Sequence, residues 1–165
     1  MLKIIPHRNC EVGVLASDEL KLVTKKHFYI IVNSDPSNQP GTHWLAFMKR
    51  GKYLEFFDSF GKPVTFYGQN FIDFVKKHGP YLKYNTTQLQ SNSSSLCGKY
   101  CLFFLAHRNL YYTYDEILSM FSKTHLEKND YEVKKFYKIM ESKKKSNKRM
   151  KCECIINSQC EQRNV

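Results

Sequence analysis

Four polar residues could do chemistry together: His43, Asp58, Gln90 and Cys97. They stand in Gly41-Thr42-His43-Trp44, in Phe57-Asp58-Ser59-Phe60-Gly61, and at the two ends of Gln90-Ser91-Asn92-Ser93-Ser94-Ser95-Leu96-Cys97, which Gly98 follows. A thiolate is a nucleophile, an imidazole can take its proton, and a carboxylate can orient the imidazole. A side-chain amide can donate to a developing oxyanion. Combined, these groups suit acyl transfer through a thioester, the chemistry of a thiol-dependent peptide hydrolase. That chemistry needs no metal.

The elements around these residues must bring them together. Residues 26–33, Lys-Lys-His-Phe-Tyr-Ile-Ile-Val, are β-branched and aromatic and read as a buried strand. Asn33 to Gly41 carries Asp35-Pro36 and Gln39-Pro40-Gly41, a loop. Residues 43–48 and 53–58 read as a hairpin through Lys49-Arg50-Gly51-Lys52, apolar on both faces and so covered on both sides. With Arg50-Gly51 as a two-residue turn, Lys49 pairs with Lys52 and His43 falls directly opposite Asp58. A four-residue loop closed by Met48 and Tyr53 gives the same register, whereas a three-residue loop would set His43 opposite Ser59. Opposed residues have Cβ atoms roughly 4.5–5.5 Å apart, close enough for a carboxylate to hold one imidazole nitrogen and fix the tautomer.

Downstream, Phe71, Phe74, Val75 and His78 form one stripe of a helix over 69–78, stopped by Gly79-Pro80. Residues 81–90 read as extended, followed by a Ser/Asn loop whose residues are expected to cap an apolar helix from Cys97 to about Asn109. A thiol at a helix N-terminus meets the positive end of the dipole, which lowers its pKa. Cys101, one turn deeper, reads as a packing thiol, and Gly98 leaves room for backbone to approach. Gln90 is the expected oxyanion donor, with Gln88 its competitor on the same strand face. Trp44, the only tryptophan, is expected to cover the His43–Asp58 bond or to pack against Phe57, its partner in that register. Thr113-x-x-Glu116 and Asn129-x-x-Glu132 look like capping boxes. The first opens a helix to about Ser122, the second a helix carrying Val133, Phe136, Tyr137 and Met140.

The bulk properties set limits. A chain of 165 residues fits one domain with a single core. Hydrophobic residues at 42% and aromatics at 15% exclude a disordered chain. No apolar run reaches the roughly 18 residues of a membrane span, and the first residues lack the apolar core of a secretory signal. Six cysteines, Cys10, Cys97, Cys101, Cys152, Cys154 and Cys160, form neither a disulfide framework nor a paired zinc pattern, which favours a reducing compartment. The net charge of +11 points to polyanions, and +5 of it falls in residues 143–165. Residues 1–142 are thus expected to be the folded domain, and 143–165 a basic, disordered tail able to touch DNA.

In this order and spacing, the motifs resemble those of the adenovirus-type cysteine proteases (adenain), in the same broad group as the SUMO-deconjugating proteases. The resemblance covers roughly residues 11–110. It runs through Ile31-Val32-Asn33, Gly41-Thr42-His43-Trp44-Leu45-Ala46-Phe47, Phe57-Asp58-Ser59-Phe60-Gly61 and the stretch from Gln90 to Gly98. Papain-type enzymes order their groups Gln, Cys, His, Asn, so this chain is a permuted papain-like case. The seven-residue step from Gln90 to Cys97 resembles the adenovirus type, and Asp58-Ser59-x-Gly61 is similar to the SUMO-protease form. Gly13-Val14-Leu15-Ala16-Ser17-Asp18-Glu19-Leu20 resembles the adenain-like proteases of Polinton/Maverick-type elements.

The resemblance implies an α+β fold whose central, mostly antiparallel sheet is flanked by helices, with the nucleophile at the N-terminus of a buried helix. It implies His43 as base, Asp58 as orienting acid, Gln90 as oxyanion donor and Cys97 as nucleophile. It implies cleavage of viral or transposon precursor proteins near glycines, with a short peptide and DNA as activators, in the host nucleus or cytoplasm or packaged in a virion. The thiol that captures such a peptide has no counterpart between Cys10 and Cys97, so disulfide-linked activation is not expected. A ubiquitin-like-protein deconjugating protease, or a non-enzymatic DNA-binding protein on the same fold, are the alternative readings.

Overall fold

The computed structural model describes residues 10–79 and 81–146, with side chains to residue 142. Five strands form one sheet in the order β1-β2-β3-β4-β5: β1 (Cys10–Leu15), β2 (His27–Asn33), β3 (Trp44–Arg50), β4 (Tyr53–Phe57) and β5 (Leu82–Tyr84). The helices are α1 (Gln69–His78), α2 (Cys97–Asn109), α3 (Tyr114–Ser119) and α4 (Leu126–Ser146). Two short 3-10 turns, Ser17–Leu22 and Val64–Tyr67, complete the fold.

The α+β class holds, but the sheet is mixed rather than mostly antiparallel. β2-β3 and β3-β4 are antiparallel, while β1-β2 and β4-β5 are parallel. Each parallel pair needs a crossover, because a tight turn can only reverse the chain. The 3-10 turn at 17–22 lies between β1 and β2, and the turn at 64–67 with α1 lies between β4 and β5.

Alternation along the buried strands feeds two cores. Tyr29, Ile31, Ala46, Met48 and Phe57 face one side and pack with α2, α3 and α4. Phe28, Ile30, Val32, Leu45, Phe47, Leu54 and Phe56 face the other and pack with α1 and the two 3-10 turns. Hence the double apolar character of the hairpin: both faces are covered, as expected. Helix α2 is buried along Tyr100–Ala106, and its Phe104 stacks on Phe57 with centroids 4.7 Å apart and planes 6° off parallel.

Several local expectations need correction. The hairpin turn is Gly51-Lys52, with Arg50 opposite Tyr53. Gly51 has φ +75°, and two-residue hairpin turns put such a residue at their first central position. Continued to the strand ends, this register sets Phe60 rather than Asp58 opposite His43. Regular pairing in the 81–90 stretch is limited to Leu82–Tyr84. The box at Thr113 is formed, with Thr113 Oγ1 accepting from the Glu116 N–H at 3.2 Å and the Thr113 N–H donating to Glu116 Oε2 at 2.6 Å, though its helix ends at Ser119. The box at Asn129 is not formed, because α4 already begins at Leu126. The buried Asn129 amide instead donates to the carbonyls of Leu89 (2.9 Å) and Ser122 (2.7 Å). Helix α4 runs through Ser146, so residues 143–146 continue it, and the rest of the expected tail (147–165) lies outside the described residues. Cys152, Cys154 and Cys160 lie there too.

Candidate active site

His43 immediately precedes β3, Asp58 immediately follows β4, and Cys97 opens α2, so the three residues meet at one end of the sheet. His43 Nε2 lies 2.7 Å from Asp58 Oδ1. Asp58 is fully buried, and the His43 side chain is 12% exposed. The contact arises by another route than direct opposition. The observed register makes the two residues diagonal neighbours on one face, roughly 7–8 Å apart at the backbone and within reach of long side chains. A two-residue shift changes the partner but not the face.

The acid is held from every side. Asp58 Oδ1 also accepts from the Phe60 N–H at 3.0 Å. Oδ2 accepts from the Lys62 N–H at 2.8 Å and the Tyr67 hydroxyl at 2.7 Å. Four donors fill the carboxylate's acceptor sites. Burial alone would push this carboxyl up, but the His43 hydrogen bond and charge, with the Phe60 and Tyr67 donors, hold it below its ordinary value. The Asp58 backbone is fixed by Asn85, whose Oδ1 accepts from the Asp58 N–H at 3.1 Å and whose Nδ2 donates to the Asp58 carbonyl at 2.5 Å. Gly61 closes the turn, its N–H donating to the Asp58 carbonyl at 3.0 Å. Its φ is +69°, and a Cβ there would lie 2.7 Å from the Thr87 carbonyl carbon.

With Nε2 on Asp58, the other imidazole nitrogen is left for Cys97, to which the ring is also hydrogen-bonded. Burial opposes a charged imidazole. The hydrogen bonds to Asp58 and Cys97 and the two negative charges outweigh it and raise His43 to about 9. Cys97 is the mirror image. Burial would raise its pKa, but the hydrogen bond and charge of His43, with the backbone N–H groups of Trp44 and Gly98, bring it below the ordinary thiol value. Each group thus favours the charged form of the other, the imidazolium of His43 and the thiolate of Cys97.

Leu96 is the N-cap of α2 and supplies no side-chain cap, contrary to the expectation of Ser/Asn capping. The first-turn N–H groups are thus not consumed by a neighbouring hydroxyl. Trp44 lies against Gly98, where an added Cβ would sit 3.4 Å from the indole Cδ1. So a ring, not backbone, occupies the space that Gly98 leaves, and Ala46 rather than Trp44 is the partner of Phe57. The imidazole is flanked by Phe60 at 5.1 Å and by Tyr67, stacked at 5.9 Å between centroids. Cys101 is fully buried and donates to the Trp44 carbonyl at 3.3 Å, a packing thiol.

Gln90 is 1% exposed. Its Oε1 accepts from the Ser59 hydroxyl at 2.8 Å, and its Nε2 donates to the Ser94 carbonyl at 2.6 Å. These partners fix which way the amide points and take one of its two N–H donors. Gln88 is engaged elsewhere, with the Gln90 carbonyl and Asn92, both at 2.8 Å. Ser59, the neighbour of Asp58, also accepts the Leu89 and Gln90 N–H groups at its carbonyl (2.8 and 3.1 Å). One dipeptide therefore anchors both the imidazole and the amide. Helix α4 holds the same loop: Asp130 accepts from Ser91 at 2.6 Å and from Tyr100 at 2.8 Å.

Sequence reasoning missed Ser59, Tyr67, Asn85 and Asp130 in these supporting roles. Ser59 stands next to Asp58 in the sequence, but its bond to Gln90 spans 31 positions. Among the described residues, no cluster of His, Cys, Asp and Glu is arranged to hold a metal ion. No protein-family model matches the chain, and no curated protein matches it.

Proposed function

We propose that this chain is a cysteine endopeptidase working through Cys97, His43 and Asp58, with Gln90 as oxyanion donor. The observation that carries the reading is the buried imidazole shared between Asp58, at 2.7 Å, and the thiol at the head of α2. The Cys97 thiolate attacks the scissile carbonyl carbon, forming the C–S bond. The resulting oxyanion is met by the Cys97 backbone N–H and the remaining Gln90 N–H. The tetrahedral species collapses, the C–N bond breaks, and His43 hands its proton to the leaving amine. Water then attacks the thioester, His43 takes its proton, and the C–S bond breaks to restore the thiolate.

The motif resemblance supports a substrate class: precursor proteins of a virus or virus-like transposon, cut near glycines. It also supports a short activating peptide and DNA as partners. The Asp58-Ser59-x-Gly61 form favours a second reading, deconjugation of ubiquitin-like proteins.

Two assays test these readings. Hydrolysis of unfolded protein or precursor substrates is expected from the wild type and lost in Cys97→Ala; hydrolysis that survives Cys97→Ala contradicts the mechanism. A panel of ubiquitin and SUMO C-terminal electrophilic probes separates the substrate classes. Rapid, selective labelling of Cys97 by one probe would favour the deconjugating enzyme.

A further inference from the structure

A cleft of about 630 Å³ opens beside His43, lined by the loop before β3 and the segment after β4. Cys97, Gly98 and Gln90 do not line it. Its size lies within the roughly 300–1,000 Å³ of ligand pockets. We infer that this cleft receives the leaving side of the substrate, and that it takes a large apolar or aromatic side chain from the first or second residue after the scissile bond. This rests on the protease reading above.

The direction follows from the chemistry. The attacked carbonyl must lie over Cys97 with its oxygen toward Gln90 and the head of α2. The departing nitrogen must then face His43, the group that protonates it. The chain beyond that nitrogen leaves on the far side of the imidazole, where the cleft lies.

The side-chain class follows from the walls. Phe60, Phe66 and Tyr67 form the apolar walls of the cleft, which Asp35 and Lys62 also line. Phe66 is 67% exposed. It sits in the 3-10 turn Val64–Tyr67, whose Val64 is buried, and it meets Tyr67 edge-on with centroids 5.2 Å apart. The Lys62 ammonium lies 5.8 Å from the Phe66 ring centroid. A positioned, exposed aromatic at the mouth of a groove offers apolar area at little entropic cost, as binding hot spots do. Tyr67 serves twice, holding Asp58 through its hydroxyl and the cleft through its ring.

Two measurements test this together. Wild-type and Cys97→Ala proteins are incubated with a proteome-derived peptide library, and new N-termini are read by mass spectrometry. In parallel, the amides Phe-Ala-Gly-NH2 and Gly-Ala-Gly-NH2 are titrated into isotope-labelled Cys97→Ala and followed by NMR. Cys97-dependent N-termini should be enriched about tenfold in Phe, Tyr, Trp, Leu or Met over Gly and Ser at the first or second position. Phe66→Ala should reduce that ratio, and the aromatic peptide alone should shift the Phe66, Tyr67 and Lys62 signals. Cys97-dependent cleavage with no leaving-side preference overturns the inference and leaves the protease reading standing. Absent cleavage with selective shifts shows a cleft that takes an aromatic side chain and overturns its assignment to the leaving side of a substrate. Absent cleavage without shifts overturns the inference outright.

Discussion

At the scale of single residues, the account turns on Asp58. Its charge and hydrogen bond are among the reasons that His43 titrates near 9. In Asp58→Asn the charge is lost, and an amide cannot accept from all four donors that now surround the carboxylate. The His43 pKa should fall, so the imidazolium is lost at lower pH and the alkaline limb of a pH–rate profile moves down from about 9. Turnover should fall by up to about 10⁴-fold, as when a triad imidazole loses its orienting carboxylate. An unmoved alkaline limb would show that another group sets it. The grouping of His43 with Asp58 and Cys97 was legible in the sequence because each type has a distinct chemical job, whereas Gln90 is seen bonded to Ser59 and Ser94. The roles of Asn85 and Ser59 were not legible, because a buried side chain bonded to backbone 27 positions away, or to a side chain 31 positions away, leaves no local pattern.

At the scale of elements, turns decide the outcome. Gly61→Ala would force a side chain into left-handed backbone and against Thr87. Strain of this kind costs about 1–3 kcal/mol, and thermal unfolding should come about 2–12 °C earlier. An unchanged melting midpoint would mean that the 58–61 turn relaxes freely. Helix α1 supplies a pH prediction. His78 packs between Phe28 and Phe74, and its Nε2 has no hydrogen-bond partner among the described residues. Burial, with Lys77 and Lys49 nearby, pushes its pKa down to about 4. The unfolded chain, titrating near about 6.5, takes up the proton first as pH falls. Stability from the neutral ring is therefore fully present above about 6.5 and is lost progressively down to about 4. His78→Phe should flatten denaturant midpoints across that window; an equal slope in both proteins would contradict the assignment.

The helix over 69–78 was readable because its apolar spacing and its Gly79-Pro80 stop are local, and that over 97–109 because its apolar run is. Parallel pairing of β1 and β5 was not, since it depends on where crossovers carry the chain. The hairpin register was missed by reading Arg50-Gly51 as the turn, with glycine second, whereas Gly51 takes the first place of the turn that forms, with φ +75°.

At the scale of the whole molecule, +5 of the net charge of +11 falls in residues 143–165. Residues 147–165 carry four basic residues against two acidic ones, next to Lys143, Lys144 and Lys145 at the end of α4. If this region holds the protein on DNA, removing residues 143–165 should weaken binding and flatten its dependence on salt. An unchanged salt slope would assign the contact to the folded domain. The central claim is that the free chain already holds an assembled thiolate–imidazolium pair. The most direct measurement is the alkylation rate of Cys97 against pH, resolved by mass spectrometry in wild type and His43→Ala, with the buried Cys101 as internal control. The account predicts fast alkylation of Cys97 well below the ~8.5 at which an unperturbed thiol titrates, and loss of that advantage in His43→Ala. A Cys97 that titrates like an ordinary thiol, or that ignores His43→Ala, would contradict it.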